Sequence, residues 1–149
     1  MGIEIERKFL PAGDGWRPLV KRSQDLRQGY LARGGVTVRV RTIDEQRGFL
    51  TIKSGGPGLA RTEFEYEVPV ADARQMLYLA RARIDKVRHT LDLPGGDWVV
   101  DEFRERHAGL VLVEVELDSL EASLELPEWL GEEVTADPRY YNSTLAADD

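Results

Sequence analysis

Ile3-Glu4-Ile5-Glu6-Arg7-Lys8-Phe9, near the start of the chain, puts Glu4, Glu6 and Lys8 on one face of an extended backbone and Ile3, Ile5 and Phe9 on the other. That alternation has the two-residue period of a β-strand, whose successive side chains point to opposite sides of a sheet. The arrangement returns in residues 36–41 (VTVRVR), 49–53 (FLTIK), 62–68 (TEFEYEV), 85–88 (DKVR) and 111–117 (VLVEVEL). Several of the charged faces carry a single sign: Arg39 with Arg41, Lys86 with Arg88, Glu63 with Glu65 and Glu67, Glu114 with Glu116. A sheet facing water gains from mixing signs along a face, and like charges two residues apart gain nothing from one another. Strands that close into a barrel can instead turn ionic faces into the lumen and apolar faces outward against helices. That arrangement predicts a polyanion and a metal as ligands, and it predicts repulsion within each face until they bind.

With 149 residues the chain reads as one domain, 1–149, and its 42% hydrophobic content is enough for a sizeable core. It has no cysteine, which excludes disulfides, zinc-thiolate sites and cysteine nucleophiles and suits a reducing cytoplasm. No apolar run is long enough to span a bilayer and no basic-then-apolar leader opens the chain, so the expectation is a cytoplasmic protein with no membrane partner. The net charge of −7 argues against a nucleic-acid partner, which would call for a basic face. Basic residues at alternating strand positions suit a small anion held inside better than a polymer lying on the surface.

Between the charged strands, residues 16–23 read as a short helix or turn, 28–32 as a short strand, and 54–59 as a mobile glycine-rich loop. Residues 72–82 have the best helical content, with Met76, Leu77, Leu79 and Ala80 as the buried face and Pro69 ending the strand before. Strands follow at 84–93, 98–104 and 110–117, then a helical stretch over 120–126 and 127–130, then a polar tail. The fold class is therefore mainly β (α+β), an antiparallel barrel of about eight strands with helices packed outside, a size whose lumen admits side chains and one small ligand.

Inward faces bring Lys8, Arg39, Arg41, Lys53, Lys86 and Arg88 together with Glu4, Glu6, Glu63, Glu65, Asp101, Glu114 and Glu116. The cations are forked and point-charge donors of the kind phosphate oxygens need. Acids at this density call for a hard divalent cation, and Mg²⁺ or Mn²⁺ with oxygen ligands fits them. Elsewhere the plainer readings weigh more. Tyr30 and the three tryptophans are packing groups, Glu67 and Arg61 lie at the rim or mouth, His89 and His107 are solvated or structural, and Asp97 belongs to a turn.

The sequence resembles the CYTH domains of the triphosphate tunnel metalloenzymes. The likeness runs through EIERKFL (Glu4, Glu6, Lys8), TVRVR (Arg39, Arg41), LTIK (Lys53), RTEFEYEVP (Glu63, Glu65), DKVRH (Lys86, Arg88), WVVDEF (Asp101), GLVLVEVEL (Glu114, Glu116) and WLGEEVTADPRYYNSTL. The resemblance implies an eight-stranded tunnel and metal-dependent chemistry on triphosphates, most like the compact bacterial inorganic tripolyphosphatases, with nucleoside triphosphates as a further substrate class. It implies metal ligation by Glu4, Glu6, Glu114 and Glu116, and phosphate binding by Lys8, Arg39, Arg41, Lys53, Lys86 and Arg88. Catalytic roles fall to Glu63, Glu65, Asp101 and Lys8, and the protein is expected to be a monomer or homodimer. Thiamine triphosphate hydrolysis and adenylate cyclisation are alternatives on the same fold, and a non-catalytic polyphosphate or nucleotide binding module is the alternative from another class.

Overall fold

The computed structural model describes residues 2–54 and 60–147. In chain order the elements are β1 (Gly2–Pro11), β2 (Val20–Ala32), β3 (Val36–Ile43), β4 (Arg47–Ser54), β5 (Ala60–Val68), α1 (Val70–Leu79), β6 (Ala82–Leu91), β7 (Asp97–Phe103), β8 (Val111–Glu116), β9 (Leu130–Glu133) and α2 (Asn142–Ala147). The strands form one antiparallel sheet in the order β5-β4-β3-β2-β6-β7-β8-β1-β9, and β1 also pairs with β5. This closes an eight-stranded barrel with β9 as an extra strand. Closure depends on β1 dividing its length: Gly2 to Ile5 lie opposite Glu63 to Ala60 of β5, Glu6 to Phe9 lie opposite Glu116 to Val113 of β8, and Phe9 and Pro11 meet β9.

The strands form where the period-two pattern places them, and the turns have local causes. Asp44 and Glu45 sit at φ of 52° and 56° in the three-residue connection between β3 and β4, and the Gln46 amide closes the turn by donating to the Ile43 carbonyl at 3.0 Å. Asp44 Oδ1 accepts a hydrogen bond from the Asp25 amide at 2.7 Å, which fixes that turn against β2. α1 lies outside the barrel over β2, β3 and β4, and glycines permit the approach. A Cβ built on Gly48 would come within 2.6 Å of the Ala73 Cβ, and one on Gly29 within 2.6 Å of the Ala80 Cβ.

Several local expectations are corrected. Residues 16–23 hold only a single 3-10 turn, Arg17–Leu19, and β2 begins directly after it, paired with β6 from Val20 onward. α1 starts and stops earlier than 72–82, because Ala80 takes an extended backbone and Ala82 begins β6. Its buried residue is Ala73, and Leu79 stays 75% exposed. Residues 120–130 form no helix: 122–127 are irregular, with Ala122 and Leu124 laid on the core, and Leu130 enters β9. The tail is not merely polar, since α2 buries Leu145 and Ala146. Of the glycine-rich loop read at 54–59, residues 55–59 lie outside the described residues.

Two apolar clusters flank the wall of the barrel. Outside, Ile5, Phe9, Trp16, Trp98, Val113 and Val115 pack together beneath Leu124 and Trp129. Inside, Ile84, Phe103 and Leu112 gather with Tyr30 and Ala82 and are capped by Val134 and by Leu145 and Ala146 of α2. Ile84 shares the inward face of β6 with Lys86 and Arg88, Phe103 that of β7 with Asp101, and Leu112 that of β8 with Glu114. Each inward face therefore changes along its strand from apolar to ionic, so hydrophobic burial fixes one end of the lumen and leaves the other for charge.

Candidate active site

The ionic part of the lumen encloses a cavity of about 230 Å³. β1 supplies Glu4 and Glu6, β3 supplies Arg39 and Arg41, β4 supplies Lys53, β5 supplies Glu63 and Glu65, β6 supplies Arg88, and β8 supplies Glu114 and Glu116. Lys8 lines an adjoining cavity of about 50 Å³ that shares Glu4, Glu6, Arg39 and Lys53. Lys86 and Asp101 line neither cavity; both side chains share the inward faces of their strands but are 0% exposed. A larger groove of about 620 Å³ outside the barrel, bordered by Leu77, Tyr78 and several arginines, contains none of the sequence-predicted site residues.

The expected repulsion within single-sign faces is relieved in part by pairing across strands; it persists at Glu6 and Glu116 and at Arg41, whose pKa burial, Arg39 and Arg88 lower. Lys53 Nζ lies 3.0 Å from Glu4 and 3.4 Å from Glu63. Arg88 donates to both Asp101 oxygens at 2.8 and 2.9 Å and to Glu114 at 3.2 Å. Lys86 Nζ is 2.6 Å from Asp101, and Lys8 Nζ is 3.4 Å from Glu114. Arg39 reaches Thr51 Oγ1 at 3.1 Å and Glu65 at 3.5 Å, and Arg41 donates to Gln28 Oε1 at 2.8 Å. Strands that are uniform along their length thus become complementary sideways, a relation invisible until the strand order is known.

The acids fall into two groups. Burial alone would raise the Asp101 carboxyl, but Arg88 and Lys86 outweigh it and hold the group well below the usual carboxylate range. Glu114 is likewise held low, at about 2, with Lys8 the chief counterweight to its burial. Glu6 goes the other way: burial, then Glu114 and Glu4, push it up to about 7. Among the described residues no lysine or arginine pairs with Glu6, which lies opposite Glu116 in the β1–β8 register. Glu116 is also raised, by partial burial and by the neighbouring Glu4, Glu63 and Asp97.

Crowded carboxylates short of cations are a donor set whose chemistry fits a hard divalent ion. Among the described residues no three acidic or histidine side chains converge closely enough to hold one as placed. Glu4 is engaged by Lys53, and Glu114 by Lys8 and Arg88, so ligation by either exchanges a protein cation for the ion.

Three contributors were not legible as site residues. Asp97, read as a turn residue, begins β7 opposite Glu116 and lines the cavity. Asn142 accepts a hydrogen bond from Lys86 at 2.8 Å, and the Tyr140 carbonyl accepts one from Lys8 at 2.9 Å. An acidic run would have flagged Asp97 only once its partner strand was known; Asn142 lies in the closing motif of the resemblance, but no charge alternation singles it out. The remaining residues lie elsewhere. Glu67 pairs with Arg47 at the exposed rim, and His89 bridges Ser23 and Glu102 on the outer wall against Trp16. His107 bonds the Leu145 carbonyl, and Trp16 and Trp98 are buried in the outer core. Among the described residues no helix is long and apolar enough to cross a membrane.

Comparison with known proteins agrees with this geometry. The chain is 43% identical over 148 residues to an inorganic triphosphatase of Acetivibrio thermocellus, covering 97% of this chain and 94% of that protein. It is 41% identical over 153 residues to an inorganic triphosphatase of Nitrosomonas europaea, covering 96% of each. The crystal structure of the inorganic triphosphatase NE1496 superposes with a TM-score of 0.71 at 35% identity, covering 100% of this chain and 97% of that one. Membership of the family these comparisons define implies a requirement for a divalent metal. The CYTH domain profile matches residues 2–145, and the chain belongs to the CYTH domain family.

Proposed function

We propose that the lumen binds inorganic tripolyphosphate and hydrolyses it to pyrophosphate and phosphate. The observation that carries this reading is a cavity of about 230 Å³ walled by Arg39, Arg41, Lys53 and Arg88 on one side and by acids on the other. Pockets for drug-sized organic ligands run from about 300 to 1,000 Å³ and are mostly apolar. A lumen smaller than that and lined by charge suits a bare phosphate chain better than a nucleoside.

In this reading Lys8, Arg39, Arg41, Lys53 and Arg88 contact the phosphates, the arginines through paired N–H groups, while Lys86, expected among them, is sealed from both cavities by Asp101 and Asn142 and acts only through its charge. Glu4, Glu6, Glu114 and Glu116 hold Mg²⁺ or Mn²⁺, which when bound supplies charge neutralisation at phosphate oxygens and acidification of water. Each cation already rests near a carboxylate or amide oxygen, so a phosphate oxygen takes over a position that the wall has prepared for one. Asp101 fixes Lys86 and Arg88 in orientation, while Glu63 and Glu65 hold Lys53 and Arg39. Water adds to a terminal phosphorus as the bond to the bridging oxygen breaks. Pyrophosphate leaves with the electron pair, and Arg88 and Lys8 stabilise the charge that accumulates on it. A cysteine-free protein of this kind belongs in the cytoplasm.

The test is phosphate release from tripolyphosphate, ATP, thiamine triphosphate and pyrophosphate, each with Mg²⁺, Mn²⁺ or a chelator. Tripolyphosphate should have the highest kcat/KM. Equal or faster turnover of ATP, or cyclic AMP as the product, overturns the reading.

A further inference from the structure

Resting on the triphosphatase reading, we propose that Tyr141, together with the Nε of Arg39, anchors an unsubstituted terminal phosphate at the end of the lumen closed by residues 140–143. Among the described residues, the buried side-chain polar atoms without a hydrogen-bond partner are these two, Arg39 Nε and the Tyr141 hydroxyl. Arg39 is only 8% exposed. Both residues line the same cavity of about 50 Å³, with Arg61, Lys53 and Asn142 beside them; Glu4 and Glu6 line it too, Glu4 lying opposite Arg61 in the β1–β5 register.

A buried donor left unmade costs free energy comparable to a lost hydrogen bond, so two in one small space mark a missing acceptor. The acceptor that answers an N–H, a hydroxyl and the charge of Arg61 together is anionic oxygen, which can also share Lys53 with Glu4 and Glu63. The space is small, and its wall does not yield easily. Lys8 bonds the Tyr140 carbonyl at 2.9 Å, Lys86 bonds Asn142 Oδ1 at 2.8 Å, and the Arg61 guanidinium stacks 5.2 Å from the centre of the Tyr141 ring. A terminal phosphate fits such a recess, whereas an ester substituent on that phosphate meets the wall. The substrates defined in this way are phosphate chains with at least one free end.

Tyr141→Phe keeps the ring and its contact with Arg61 and deletes only the hydroxyl. With Mg²⁺ and tripolyphosphate, this variant of the full chain should raise KM about tenfold, as expected for one hydrogen bond to a charged group, while kcat falls by less. Its inhibition constant for orthophosphate should weaken by a similar factor. The wild-type enzyme should turn over methyl triphosphate, which keeps one free end, at least about tenfold better in kcat/KM than triphosphate methylated at both ends. An unchanged KM, a loss confined to kcat and melting temperature, or equal turnover of the doubly methylated chain overturns the anchor. Those results leave the parent reading standing as long as the wild type hydrolyses tripolyphosphate; failure to hydrolyse it removes both.

Discussion

Replacing Asp101 by Asn tests whether the wall of the lumen is held by charge. Asp101 and Lys86 are both 0% exposed and 2.6 Å apart, and Arg88 donates to both carboxylate oxygens. Asparagine keeps the shape and one acceptor but leaves the buried Lys86 ammonium without its anion and Arg88 with Glu114 alone. Breaking a buried pair from one side costs about 3–5 kcal/mol. For a chain of 149 residues, that corresponds to a fall of about 6–20 °C in melting temperature. The loss should depend on pH. Burial already draws Lys86 down to about 7, and without Asp101 it can shed its proton more readily, so the deficit should be larger at pH 6 than at pH 9. Far-UV circular dichroism melts of Asp101→Asn, Lys86→Met and the double variant form a cycle. The double variant should recover at least about 1 kcal/mol relative to the sum of the single ones. A single-variant shift below about 2 °C, or strict additivity, would refute the reasoning.

Asp101 also sets the acid limb. Its folded-state pKa is depressed, so its contribution is complete above the ordinary carboxylate value of about 4 and is lost as pH falls through the folded value. Asp101→Asn should therefore melt with a flatter acid limb below about pH 4 than the wild type; parallel limbs would assign the effect to other acids. Chelator should stop tripolyphosphate hydrolysis and added Mg²⁺ or Mn²⁺ restore it, with the circular dichroism spectrum unchanged throughout. Glu116→Gln, assayed at matched metal, should lose at least about tenfold in activity, as expected for a disturbed coordination shell. Gly48→Val should lower the urea midpoint by the equivalent of about 1–3 kcal/mol at constant m, because its first carbon already meets Ala73 at 2.6 Å.

The barrel was legible because its lumen is ionic. Alternation marked β3, β4, β5 and β8 close to their bounds, and the inward parity of Glu4, Arg39, Lys53 and Glu114 followed from it. The early half of β2 was not legible: Lys21, Arg22 and Ser23 offer no apolar alternation, and that stretch is a strand because β6 lies alongside it. Residues 120–126 have helix-forming composition, but Ala122 and Leu124 gain more by lying on the outer core as irregular chain. Tyr141 and Asn142 were invisible for a different reason. Both lie in the closing motif of the resemblance but outside any alternating strand, and what they contribute comes from Arg61 and Lys86, residues far away in sequence.

The division of β1 has a kinetic consequence. The strand carrying Glu4, Glu6 and Lys8 is among the first made, yet its partners lie in β5, β8 and β9, the last of them near residue 130. Until those segments exist the strand has nothing to pair with, and pairing over such separations brings a large loop-closure entropy before any contact repays it. The pairings of β1 with β8 and β9 span the longest separations, so joining β1 to β8 and bringing Glu6 beside Glu116 should be one late event. An intermediate with β2, β3, β4 and β6 joined but β8 not yet docked would hold Arg39, Arg41, Lys53, Lys86 and Arg88 and lack Glu114 and Glu116, so under the proposed roles anion affinity should arise during folding before metal affinity does.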